Sequence, residues 1–404
     1  MCDESVEQVL GNPYTHRMRK TQLPIVVAAG ALFLVSCGSD NGAADSELLS
    51  DTVATYADGV HASYAASLAS AETMDAAIDA FIADPSDETM TAAKDAWLAA
   101  RDDYGPTEAF RFYGGPIDDE EDGPEGLINA WPMDEAYVDY VEGDPGAGIV
   151  NNPDEFPTID AALLTDANES GGEANISTGW HAIEFLLWGQ DLNEDGPGER
   201  PASDYVDADN ADRRATYLSE VSDLLLVHLG GLVDDWDPAG DGNYYDTFTS
   251  ADPEESMTDI ITGIGELSRG ELAGERMNVA YEARSQEDEH SCFADNTHND
   301  IIANAVGIQM VLMGDYPGGV DGPGVLDVIR DVDAELADQL QAEVDASVAA
   351  VEAIPAPFDQ HLRDGVPDSD PGRQAILTGI TSLEDQTPTI VAAAEALGLT
   401  INVT

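Results

Sequence analysis

An all-α fold of two helical bundles packed side by side is predicted by three features of the sequence. Apolar residues recur at helical spacing over long stretches, strand-like alternation is scarce, and Gly/Pro breaks cut the chain into helix-sized lengths. The bundles are expected over residues 48–235 and 236–404, after a signal segment (1–36) and a tether (37–47). A chain of 404 residues has room for both cores.

The first bundle opens with a helix from Leu48 to Phe81, whose core face carries Tyr56, Val60, Tyr64, Leu68, Met74, Ile78 and Phe81. Asp84-Pro85-Ser86 ends it. Ser86 then caps a helix through Met90, Ala93, Trp97 and Arg101, with Asp87 and Glu88 in the first turn. Residues 119–175 are rich in Gly, Pro, Asn and acids, and are expected to wander, with short helices near Trp131–Tyr140 and Asp160–Thr165. A short apolar helix follows, capped by Ser177 or Thr178 and stopped at Gly189. Asp191 to Gly196 resembles half a calcium loop, but position twelve is Ala202, so a plain acidic turn is the better reading. Arg213 to Leu232 is amphipathic, with His228 at its core edge.

In the second bundle, helices are expected from Tyr244 to Leu267, from Asn299 to Leu312, from Val325 to Ala353 and from Gly372 to Leu397. A Gly/Pro break at 314–324 separates the middle two.

Arg17, Arg19 and Lys20 precede the apolar run Leu23 to Val35, and Leu34-Val35-Ser36-Cys37 reads as a lipoprotein signal cleaved before a lipidated Cys37, with Met18 a second candidate start. The run is short for a membrane span. The membrane is therefore a partner through a lipid anchor, and the expected location is periplasmic or cell-surface, on the outer membrane. With Cys2 removed and Cys37 lipidated, Cys292 stands alone and no disulfide forms within the mature chain.

Asp and Glu number 81 against 15 Lys and Arg, a net charge of −66. Removing residues 1–36 takes away three acids and three bases, so the charge survives processing. The acids are spread along the whole chain, as on a salt-adapted surface, and only Lys20 and Lys94 are lysines. No basic patch exists to neutralise phosphates, which excludes nucleic acid as a partner.

Chemistry concentrates in polar groups set among apolar or aromatic neighbours. His181 and Glu184 lie three apart in Gly179-Trp180-His181-Ala182-Ile183-Glu184, on one helical face with Cβ atoms ~5–6 Å apart. An internal His–Glu hydrogen bond would satisfy them, and so would a shared divalent or ferric ion. Glu108 and Arg111 with Asp118 form a second group, and Glu287, Glu289, His290, Asp295 and His298 a third. Together they offer carboxylates and imidazoles, without a thiolate cage for structural zinc.

The motif Gly-x-His-x-x-Glu and its continuation Phe185-Leu186-Leu187-Trp188-Gly189-Gln190-Asp191 resemble the imelysin family. So do Thr107–Phe112 through Gly115–Asp118, Gly274-Glu275-Arg276-Met277, and Gln286 through His298, in the family's order. The resemblance implies two related helical bundles with the motif near their interface, in a periplasmic or lipid-anchored protein tied to iron uptake and its transport partners. It implies His181 and Glu184 as metal ligands, with Glu108 the candidate third. Arg111, Asp118, Arg276, Glu289, His290, Asp295 and His298 would form the surrounding pocket. The metal would be iron, with zinc and calcium as alternatives. The family name also implies peptidase activity, but His-Glu-x-x-His is missing, and position 185 is Phe where an inverted zinc motif needs a second histidine. Binding is therefore preferred over a metal-dependent peptidase, and a scaffold lipoprotein with a purely structural pair is the third reading.

Overall fold

In the structure, a computed structural model, residues 44–193 and 196–403 are described. The expected signal segment and Cys37 lie outside them. The described chain is all-α, with one two-residue antiparallel pair, Asp315–Tyr316 against Val320–Asp321, inside the expected 314–324 break. Two residues per strand add little, so the helices carry the fold.

The first helix, α1 (Ser46–Ala83), is 38 residues long. Asp45 caps it by accepting from the Glu47 N–H at 2.9 Å, and Asp84-Pro85 ends it. In α2 (Asp87–Tyr104), Ser86 caps as expected, and Thr89 rather than a carboxylate returns the bond to the Ser86 N–H. α1 packs along α2 and the Ala211–Asp235 helix, and also meets the Pro253–Glu266 and Val325–Val332 helices. Helices from both sides of residue 236 thus share its surface.

Residues 119–175 do wander, through four helices of seven residues or fewer, among them Glu125–Ile128, Glu135–Val138 and Ala161–Ala167. Two expectations are corrected elsewhere. Val325 to Ala353 is two helices, Val325–Val332 and Ala334–Glu352, because Asp333 turns extended and its carboxylate accepts from the Glu335 and Leu336 N–H groups. Tyr244 to Leu267 is likewise broken, at Asp252-Pro253, where Asp252 caps a new helix with proline in its first turn. That helix runs on as a π-helix over Leu267–Asn278, an irregularity often found at functional sites.

One close approach sets the site's geometry. The 3-10 turn Gly105–Phe110 crosses the Thr297–Met313 helix so tightly that a Cβ on Gly307 would fall 2.4 Å from the Pro106 carbonyl oxygen. This contact brings Glu108, on the turn, beside Asn304 and the π-helix.

Candidate functional site

The motif helix spans Gly179–Trp188, and all ten of its residues are buried. Neither expected cap bonds its N–H groups. Ser177 donates to the Leu164 carbonyl at 2.7 Å and Thr178 to Asn168 Oδ1 at 3.2 Å, tying the helix start to the wandering segment instead. Gly179 sits at φ +78°, against the Ile128 carbonyl, and Gly189 closes the helix at φ +70°. Trp97 and Tyr205 donate to its Trp180 and Leu186 carbonyls. The helix is a fixed platform.

On it, His181 Nδ1 and Glu184 Oε2 are 2.9 Å apart. Glu184 Oε1 accepts from the Ala294 N–H at 2.9 Å. Beside them stands His290, its ring centroid 4.6 Å from that of His181 and its plane at 82°. His290 Nδ1 lies 3.1 Å from Asp300 Oδ2, and Asp300 also takes Ser291, Asn296 and, at 3.1 Å, Arg101. Each imidazole therefore has one nitrogen against a carboxylate, and neither Nε2 has a hydrogen-bond partner.

Burial lowers both histidines, with His181 pushed well down, also by His290, and His290 to about 4, also by Arg276. Burial would raise Asp300, but Arg101 and His290 outweigh it and hold it well below the carboxylate range. Asp300 is thus an anion and His290 donates to it from Nδ1, leaving Nε2 with a free lone pair. Burial raises Glu184 well above its ordinary value, against the pull of the Ala294 N–H.

Glu108 goes to a different set of partners. Its Oε2 accepts from Arg111 and Arg276, each at 2.6 Å, and Oε1 from Asn129 at 3.2 Å. Burial pushes its carboxyl up, and the two guanidinium groups overcome this and hold it well below the usual range. Arg276, from the π-helix, also bonds Glu271 at 3.0 Å and Asn304 at 2.9 Å, and Arg111 meets Glu125 at 3.1 Å. Glu108 anchors arginines here. Among the described residues no three His, Cys, Asp or Glu side chains converge in a way that would hold a metal ion.

The remaining expected pocket residues divide. His290 and Arg276 belong to the centre. Asp118 braces the Phe112 N–H, where the backbone is left-handed (φ 74°), with its other oxygen unpartnered. Burial, with the charges of Asp359 and Asp191, raises Glu289 well above its ordinary value and Asp295 to about 7. His298 is half-buried with Nδ1 unpartnered, and burial lowers it. Asp191 itself makes a local turn by accepting from the Asn193 N–H at 2.9 Å, as a plain acidic turn would.

A cleft of about 500 Å³ opens onto this centre, with Trp131, His290, Arg111 and Arg276 in its walls and Glu169, Glu173, Glu275 and Asp288 among its acids. Trp131, in the cleft wall, has its ring 4.8 Å from the His181 imidazole. Trp131, Arg101, Asn129, Asp300 and Asn304 were not singled out from sequence as site residues. Arg101 did carry a signal: it falls on the apolar face of α2, one turn after Trp97, and its guanidinium stacks near Trp97, Tyr104 and Trp180.

This is an all-α protein whose motif helix presents a buried His–Glu pair to a second histidine and an arginine–carboxylate network. The sequence model of the imelysin family matches residues 60–390, and the chain belongs to that family. No curated protein sequence matches it. A crystal structure from Parabacteroides distasonis, described as an iron-regulated protein A precursor, superposes with a TM-score of 0.67 at 17% identity, covering 89% of this chain and 97% of that one. An imelysin-like protein from Psychrobacter arcticum gives 0.63 at 15% identity, over 89% and 99%. At these identities the likeness is one of fold. Among the described residues no helix is long and apolar enough to cross a membrane.

Proposed function

We propose that this protein captures iron outside the cytoplasm, tethered to the membrane through a lipid on Cys37, and passes it to transport partners. The ion is held by His181 and His290 through their free Nε2 atoms, with Glu184 and Asp300 orienting the rings. The observation that carries this reading is the doubled arrangement itself: two neutral, buried imidazoles, each with Nδ1 on a carboxyl group and Nε2 unpartnered. Metal-binding histidines are characteristically oriented in this way. Two imidazoles suit a borderline ion such as iron, zinc or copper, so the residues fit the cargo. Two imidazole ligands hold an ion less tightly than a four-ligand structural cage, which suits an ion that must leave again. The acidic cleft draws cations toward the pair. The name borne by the Parabacteroides relative, iron-regulated protein, points the same way.

Peptide hydrolysis is not favoured. A general base must be free to take a proton from water, and both oxygens of Glu184 are engaged, one with His181 and one with the Ala294 N–H.

Metal titration of residues 38–404 beside a His181→Ala, Glu184→Ala double variant tests the reading. One iron-class ion bound by the parent and lost by a still-folded variant supports it. No metal in either, with the variant only less stable, makes the pair core structure. For the tether, Cys37→Ala should release the chain from membranes, and a variant still in the membrane fraction rejects a lipid anchor.

A further inference from the structure

We infer that a second cavity, beside the end of the motif helix, binds the carboxylate of a small organic molecule with an apolar or aromatic body. The cavity measures about 550 Å³ and is bounded by Tyr140, Trp188, Gly189, Leu192, Glu199 and Arg200. It shares no lining residue with the cleft at His290.

Arg200 carries the inference. It is 5% exposed, and only one of its guanidinium nitrogens is used: Nη1 lies 2.8 Å from Asp139 Oδ2 and 3.4 Å from Asp204 Oδ2. Nε and Nη2 have no hydrogen-bond partner. These two N–H groups point the same way along one edge of the guanidinium, the edge that grips both oxygens of a carboxylate. Buried donors left unmatched are costly, and a pair matched in geometry to one ligand group is unusual. The side chain is also preorganised. Its guanidinium carbon sits 5.0 Å from the Tyr140 ring centre and 5.4 Å from that of Phe185.

Gly189 passes close beside this side chain: a Cβ there would lie 3.2 Å from Arg200 Cβ, a tight contact, and 3.4 Å and 3.7 Å from Nε and Nη2, so glycine keeps the edge free of a covering side chain. The surroundings supply the rest of the ligand's shape. Trp188 and Val141 offer apolar wall, and Leu192, 62% exposed, is an apolar side chain that a bound body would cover. Lys94, its ammonium 5.2 Å from the Trp188 ring centre, adds positive charge in a chain with two lysines. The exposed Glu142 and Glu199 limit the ligand to a single carboxylate, because a polyanion would meet both.

A free organic acid and the C-terminus of a peptide share this chemistry. The test titrates the full chain by calorimetry at low salt with 3-phenylpropionate, its amide, and the tripeptide Ala-Ala-Phe with a free or amidated C-terminus. The expected result is a Kd on the order of 1 mM or tighter for an acid and at least tenfold weaker binding for its amide. Preference for the free tripeptide over 3-phenylpropionate would name peptide termini as the source, and the reverse would name a small acid. Glu199→Gln, an exposed change that leaves Arg200 in place, should tighten the acid two- to threefold and leave the amide unmoved. Arg200→Lys, checked for folding by its melting curve, should lose the preference for acid over amide. Acid and amide binding alike, no binding by any of the four, or an acid affinity indifferent to Glu199→Gln would overturn the assignment.

Discussion

His181 and His290 face each other edge to plane, 4.6 Å between ring centres, although 109 residues of sequence separate them. One ring rides on the motif helix and the other on the loop that precedes the Thr297–Met313 helix. The loop is fixed from both sides, by the Ala294 N–H on Glu184 and by Ser291 and His290 on Asp300. The repeated geometry of a carboxyl group behind each imidazole thus arises from two different elements, which makes the pair sensitive to substitution on either.

If both rings hold the ion, His290→Ala should abolish metal binding as completely as His181→Ala. Changing an orienting carboxylate should be milder: Glu184→Gln is expected to weaken affinity by about 10- to 100-fold without removing it. Metal titration by calorimetry on folded variants checks this. His290→Ala binding metal like the parent would confine the site to the motif helix.

The Glu108 network predicts a stability effect without a metal. Glu108→Gln leaves Arg111 and Arg276 buried without their shared anion, and removing one partner of a buried pair costs about 3–5 kcal/mol. Glu271 and Glu125 still neutralise the two guanidinium groups in part, so the lower end is expected. Urea unfolding measures it, and a loss under about 1 kcal/mol would mean the network is slack enough to rearrange.

These residues also mark what the sequence could and could not disclose. Helical spacing located α1, α2 and the motif helix to within a few residues, because long amphipathic faces are repeated signals. The breaks at Asp252 and Asp333 were missed, since one capping carboxylate is a small signal inside a continuous apolar period. His181 and Glu184 were legible as a pair because three residues on a helix make neighbours. Their companions were not, since Asp300, Asn129 and Trp131 arrive from separate elements whose packing spacing does not encode. The block from Glu289 to His298 looked like one pocket, and of it His290 packs against His181, while Glu289 is buried with both carboxyl oxygens unpartnered.

Asp191 and Asp295 predict a pH dependence. Burial and neighbouring carboxylates raise them, to about 6 and about 7, from an unfolded value of about 3.9. Between those limits the folded state holds protons that the unfolded chain has released. Their contribution is therefore whole below about pH 4 and is lost as pH rises through 6 to 7. Asp295 is partly exposed, so its share of the effect is modest. His290 acts in the opposite sense: lowered by burial to about 4, it costs stability as pH falls from about 6.5. Asp295→Asn should flatten the decline between about pH 4 and pH 7 in denaturant melts. An unchanged slope would place the titrating groups elsewhere.

The last prediction concerns the surface. With 81 acids against 15 bases, exposed carboxylates repel one another at every scale within the Debye length, about 10 Å at 0.1 M salt and about 3 Å at 1 M. The buried arginines do not relieve this, because Arg101, Arg214 and Arg276 are spent on Asp300, Asp139 and Glu108 in the interior. Screening therefore acts mainly on repulsion, and added salt should raise the melting temperature steadily toward molar concentrations. Sodium chloride and potassium chloride should act alike, since screening depends on ionic strength. A melting temperature that is flat or falls with salt would mean that the surface charge imposes no strain on the fold.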